Sequence, residues 1–117
     1  MQQVEEILDT QAIADLKTAG GDALVRKVAR LFLAAVTSGL QDLRWQLAHG
    51  NAEAAAFRAH ALRSNFASMG AMRAVPICEV LEEAAAHGDL PAAQKQMAAM
   101  EIQAAQAVTE AQRLARQ

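Results

Sequence analysis

The chain has one cysteine, two prolines, no tyrosine, one tryptophan and three phenylalanines among its 117 residues. The lone cysteine, Cys78, forms no internal disulfide and has no cysteine partner for a metal site, which excludes a disulfide scaffold and suits a reducing compartment, the cytoplasm. Scarce proline and only six glycines exclude collagen-like chains and disordered tails. With Val, Ile, Thr and aromatics sparse, little is left from which to build a sheet. A charge excess of one sign is missing as well: 11 Lys+Arg stand against 13 Asp+Glu for a net charge of -2. That balance supplies no cationic field for a nucleic-acid backbone, so nucleic acid is not an expected partner. Residues 1–9 carry Glu5, Glu6 and Asp9 and lack the basic start and apolar run of a signal peptide. The longest uncharged stretches, such as residues 31–41, fall far short of the ~20 apolar residues that span a bilayer, and no direct membrane contact is expected.

What is there is alanine, 29 residues of 117, within an apolar fraction of 53%. Alanine at that level favours helix over sheet. Gly20-Gly21-Asp22, His49-Gly50-Asn51, Met69-Gly70-Ala71 and His87-Gly88-Asp89 each pair a helix-stopping glycine with a new start. Four breaks predict five helical segments, at about 10–18, 22–48, 52–69, 72–87 and 90–115. Asp9, Asp22, Asn51 and Asp89 are the expected N-caps, with Pro91 inside a first turn, where its missing N–H costs little. Pro76 fits best if its helix starts near Met72. Ser38-Gly39 is a candidate bend in the long second segment. Apolar stripes run along that segment through Leu24, Val28, Leu31 and Ala35 into Val36, Leu40, Leu43 and Leu47, and along the last through Met97, Met100, Ala104, Ala107, Ala111 and Leu114. The first segment is too short to stand alone and is expected to lid the bundle with Ile13 and Leu16. The reading is all-α, one domain over 1–117: a short N-terminal helix followed by an antiparallel four-helix bundle.

The segment after Asn51 carries the functional signal. Ala55, Ala59, Leu62, Phe66 and Met69 are spaced 4, 3, 4 and 3 residues apart, which confines them to a stripe about 80° wide on a helical wheel. His60 falls about 140° from the centre of that stripe and is predicted to face solvent. Small residues surround it, Ala56, Ser64 and Ala67, and Arg63 sits one turn along. A phosphoryl-accepting histidine needs that setting: an open imidazole for in-line attack, low neighbours so that another protein's active site can close over it, and a cation nearby. An ordinary solvated helix face gives the same pattern, so spacing alone leaves both readings open.

The motif separates them. Ala59-His60-Ala61-Leu62-Arg63-Ser64, then Met69-Gly70-Ala71, then Cys78-Glu79-Val80-Leu81-Glu82 resembles the signature of histidine-containing phosphotransfer (HPt) domains, His-x-Leu-Lys-Gly followed by a Leu-Gly pair and a Cys-x-x-Leu-Glu/Gln stretch. Leu8-Asp9, the Gly-Gly-Asp step, Leu31-Phe32-Leu33 and Gly50-Asn51 extend the resemblance over nearly the whole chain. It implies a phosphorelay carrier in which His60 accepts a phosphoryl group through Nε2 from the aspartate of one response-regulator receiver domain and passes it to another. By matched position Arg63 stands for the family's Lys, and Glu82 for the Glu or Gln that orients the imidazole. Ala56, Phe57, Ser64 and Ala67 are the implied docking ground for the receiver. No cofactor or metal site of the chain's own is implied, since Mg²⁺ is expected on the partner receiver. The chain is expected to be monomeric, free-standing or part of a hybrid sensor histidine kinase. Ser64 replaces the family's usual Gly and Asn65 a usual Ser, which keeps a non-catalytic interaction module in view as the alternative.

Other conspicuous residues have plainer expectations. Cys78 lies on an apolar stripe with Ala74, Leu81 and Ala85 and is expected in the core. His49 and His87 are expected to cap helix ends rather than bind metal. Trp45 is expected to pack against the bundle, and the methionines to fill the core, with Met69 and Met72 the least certain.

Overall fold

The structure, a computed structural model, describes residues 6–117, so the acidic start as far as Glu5 lies outside the described residues. Four helices follow one another: α1 (Thr10–Ala48), α2 (Ala52–Ser68), α3 (Val75–Ala86) and α4 (Leu90–Ala115). α1 packs on α2 and α4, and α3 packs on the same two, so the helices form the four corners of an antiparallel bundle joined by short turns.

The predicted break at Gly20-Gly21-Asp22 is a kink inside α1 rather than a gap. Gly21 alone leaves helical geometry, at φ 71° and ψ -168°, a region essentially reserved for glycine, and helix resumes at the next residue. Ile13 and Leu16 on the short arm pack against the core as expected. Asp22, expected as a cap, stands instead just inside the resumed helix, paired with Lys17 at 3.3 Å. Asp9 and Asp89 do cap their helices, accepting from the N–H groups of Gln11 and Ala92. Asn51 occupies its N-cap position but makes no capping bond; its amide donates to Gln46 Oε1 at 2.8 Å. α3 begins at Val75 rather than near Met72. The chain makes a turn first, with Ala74 N–H donating to Ala71 O at 3.1 Å. Pro76 then falls in the first helical turn, where its missing donor costs nothing.

Along α1 the buried row is Val25, Ala29, Phe32, Val36, Leu40, Leu43 and Leu47. The predicted stripe is therefore right from Val36 onward and one residue out of phase before it: Leu31 is 62% exposed, while Leu24, Val28 and Ala35 are only half-buried. Gly39 keeps helical backbone geometry. A Cβ there would lie 2.7 Å from Leu62 Cδ2, so its bareness lets α1 and α2 approach closely. The expected core faces of α2, α3 and α4 are all buried, Cys78 among them. Trp45 departs from expectation: it is 54% exposed and stacks on the His49 ring, with centroids 3.8 Å apart, instead of entering the bundle. Met69, Met97 and Met100 fill the core, whereas Met72 is exposed.

Two ion pairs tie α1 to its neighbours: Arg44 with Glu101 of α4, and Arg58 of α2 with Asp42 at 2.9 Å. The bonds from Arg44 hold the Glu101 carboxyl below its usual 4.5, and those from Arg58 and then Gln46 hold Asp42 below its usual 3.8. A carboxylate whose folded pKa is depressed stabilises the fold above the unfolded pKa and loses that contribution as pH falls through the folded value. Both pairs are solvent-accessible, so each is worth no more than about 1 kcal/mol. Thermal midpoints should therefore drop as pH is lowered from about 5 toward 3. The drop should be smaller when Arg44 and Arg58 are both replaced by Met, and equal drops in the two proteins would assign the acid sensitivity to other carboxylates.

Candidate functional site

His60 lies on the solvent side of α2, its side chain 55% exposed, opposite the fully buried row of Ala55, Ala59, Leu62 and Phe66. That row docks the helix onto the core and thereby aims position 60 outward. α3 runs antiparallel beside it and brings Glu82 across: His60 Nδ1 lies 3.2 and 3.1 Å from the two carboxylate oxygens. An ionised carboxylate only accepts, so Nδ1 carries the proton and donates. Nε2, on the far side of the ring, keeps its lone pair.

One turn further along α2, Arg63 Nη1 lies 3.4 Å from Glu79 Oε2. The two cross-helix pairs, 60 with 82 and 63 with 79, step three residues in opposite directions, as antiparallel neighbours must. Together they line a shallow open depression of about 400 Å³ with Glu83, Ala86 and His87. His60, Arg63 and Glu82 are thus brought into one place.

The expected docking residues divide. Phe57 stands 73% exposed one turn before His60, and Ser64 and Ala67 are exposed one and two turns after it. Ala56 is half-buried and packs against the core. Phe57 also borders a second depression with Asp42, Gln46, Glu53 and Ala54, between α1 and α2. A further hollow of about 550 Å³ lies at the α2–α3 turn, lined by Glu6, Asp9, Gly70, Met72, Arg73, Pro76 and Gln103, and contains neither His60 nor its partners.

The remaining histidines act on backbone. His49 and His87 are the C-caps of α1 and α3, and the Nδ1 of each lies 2.8 Å from the carbonyl oxygen four residues back, of Trp45 and Glu83 respectively. Burial pushes the Cys78 thiol up to about 12, with Sγ 3.8 Å from Met100 Sδ, so it is an inert packing group rather than a nucleophile. Among the described residues no three His, Cys, Asp or Glu side chains are placed to hold a metal ion, and no helix is long and apolar enough to cross a membrane. Sequence reading missed Glu79, Glu83 and His87 as lining residues. Helical spacing from Glu82 offered the only signal, since 79, 82, 83 and 86 share one face of α3.

Removing the Glu82 carboxylate frees the imidazole to rotate and to exchange tautomers. Glu82→Ala should slow phosphoryl transfer by about 10- to 100-fold, the scale of loss when a metal-bound histidine is deprived of the partner on its second nitrogen. The thermal midpoint should barely move, because the pair is solvent-accessible. A wild-type single-turnover rate would remove Glu82 from the mechanism.

An all-α bundle that presents one oriented, exposed histidine from the middle of a helix is the architecture of a histidine phosphotransfer module. The sequence model of the Hpt domain family matches residues 27–115, and the chain belongs to that family, the histidine phosphotransfer modules of two-component signalling. Its fold is similar to the crystal structure of histidine-containing phosphotransfer protein B from Pseudomonas aeruginosa PAO1, with a TM-score of 0.88 and 25% identity over 96% of each chain. No curated protein matches the sequence.

Proposed function

We propose that His60 is the phosphoryl acceptor of this module, taking the group from the aspartyl phosphate of one receiver domain and passing it to the aspartate of another. The observation that carries the reading is the Glu82 carboxylate on Nδ1, which leaves Nε2 as a free nucleophile on a half-exposed ring. In the forward step the Nε2 lone pair forms the N–P bond while the P–O bond to the aspartate breaks, and the electron pair leaves on the carboxylate. The Nδ1 proton stays on the ring, which becomes cationic and faces the Glu82 carboxylate. Arg63 contributes positive charge beside the transferring group, with Mg²⁺ carried by the receiver. Phe57, Ser64 and Ala67 form the ground on which the receiver sits, an exposed aromatic flanked by small residues.

The test is incubation with a phosphorylated receiver domain, followed by assay for label on this chain that is labile to acid and stable to alkali, the behaviour of an N–P bond. Such label supports the proposal. Receiver binding without label would mark a docking module, for which the Ser64 side chain at the family's usual Gly position is the structural reason.

A further inference from the structure

Three carboxylates, Glu79, Glu82 and Glu83, share the depression with the acceptor histidine and with a single arginine. Glu82 is accounted for by its bond to Nδ1. Glu79 lies one helical turn away along α3, and its ion-pair partner among the described residues is Arg63. A phosphoryl group added to Nε2 places close to two negative charges on a residue that lines this depression, one helical turn from Arg63, and competes for the same guanidinium. Glu79 therefore opposes the product twice, as a like charge and as the resting partner of Arg63, the one arginine among the described residues that line the depression.

We propose that Glu79 is a positioning residue that holds Arg63 back from the phosphoryl group, so that phosphorylated His60 is destabilised and transfer is biased off the histidine toward the next receiver. The inference rests on His60 being the acceptor. It makes the module a conduit rather than a store: the group arrives against local repulsion and leaves with it. A neutral Gln at position 79 removes the like charge and frees the guanidinium together, and both changes favour the phosphorylated state.

The experiment loads His60 from phosphoramidate, a small donor that needs no receiver. Nε2 forms the N–P bond, the donor's P–N bond breaks, and ammonia leaves with the electron pair. The phosphorus resonance of the loaded protein is then titrated to find the midpoint of the phosphoryl group's last ionisation. Freed Arg63 favours the dianion, so Glu79→Gln should lower that midpoint by roughly half a unit or more, since one unit charge at several ångströms in a wet site acts on that scale. The equilibrium ratio of phosphorylated His60 to phosphorylated receiver should rise by roughly three- to tenfold. In an Arg63→Gln background the same substitution should move the midpoint by less than half as much, because the guanidinium it acts through is gone.

A midpoint within a tenth of a unit of wild type, or a lower His60 share at equilibrium, overturns the proposal. So does an undiminished effect in the Arg63→Gln background, which would reduce Glu79 to a bare charge. Label that appears on wild-type His60 while Glu79→Gln changes nothing sinks this inference alone. If neither phosphoramidate nor phosphorylated receivers label His60, the reading of function fails first, and this one with it.

Discussion

A His60→Gln variant is expected to take no acid-labile label from a phosphorylated receiver, down to the background of the assay, while melting at the wild-type temperature. The two halves of that result come from separate features of α2. The side chain is 55% exposed and belongs to none of the packed rows, so its replacement opens no cavity and strands no buried polar group. A glutamine amide can still donate to the Glu82 carboxylate, which keeps the local geometry. What it lacks is a nitrogen lone pair available for attack, because that pair is delocalised into the carbonyl. Receiver binding, read by titration calorimetry, should survive within a few-fold, since Phe57, Ser64 and Ala67 are untouched. Residual label on the variant would place the acceptor elsewhere, and the phosphorylated residue could then be mapped directly.

The second large effect concerns the fold. Phe66→Ala should destabilise the bundle by about 3–5 kcal/mol, toward the upper end of that range. Phe66 is fully buried on the core face of α2 and meets Phe32 of α1 edge to face, with ring centroids 6.1 Å apart. Leu62 and Met69, its nearest neighbours along the buried row of α2, are themselves fully buried and packed, so they have little freedom to swing into the vacated space and much of the cavity persists. The loss would be a large share of the roughly 5–15 kcal/mol that a domain of this kind has to spare. A urea titration should show a lower midpoint with an unchanged slope. A shift below about 1.5 kcal/mol would mean that the helices close over the gap. Phosphoryl transfer per folded molecule should remain near wild type, which separates this effect from that of His60.

Much of this was legible in the residues themselves, and the reasons are specific. α2 could be read in full because one narrow stripe of five apolar residues left a single answer for which way His60 faces. α4 was equally plain. In the first half of α1, Leu24, Val28 and Leu31 form a row as regular as Val25, Ala29 and Phe32, and only packing against two neighbouring helices chooses between them. Trp45 misled because its apolar area suggests burial, whereas stacking on His49 at the helix end satisfies it outside the bundle. Asn51 turned to Gln46, a partner five residues back that spacing does not advertise. At the site, Glu82 was visible through its motif, but Glu79 is one glutamate among several until the α2–α3 register sets it against Arg63.

The alanines have a thermal consequence. Among the described residues of α2 and α4, much of the buried surface is methyl rather than isobutyl or phenyl, so less apolar area meets water on unfolding than a leucine-rich core of equal length would release. The heat-capacity increment should sit at or below the common value of about 12–15 cal/mol/K per residue, and the free-energy dome over temperature flattens accordingly. Buried alanine also surrenders no rotamer freedom. A bundle built this way gives up some peak stability and keeps what it has over a wider span of temperatures, which suits a carrier whose working face must stay level while its partners come and go.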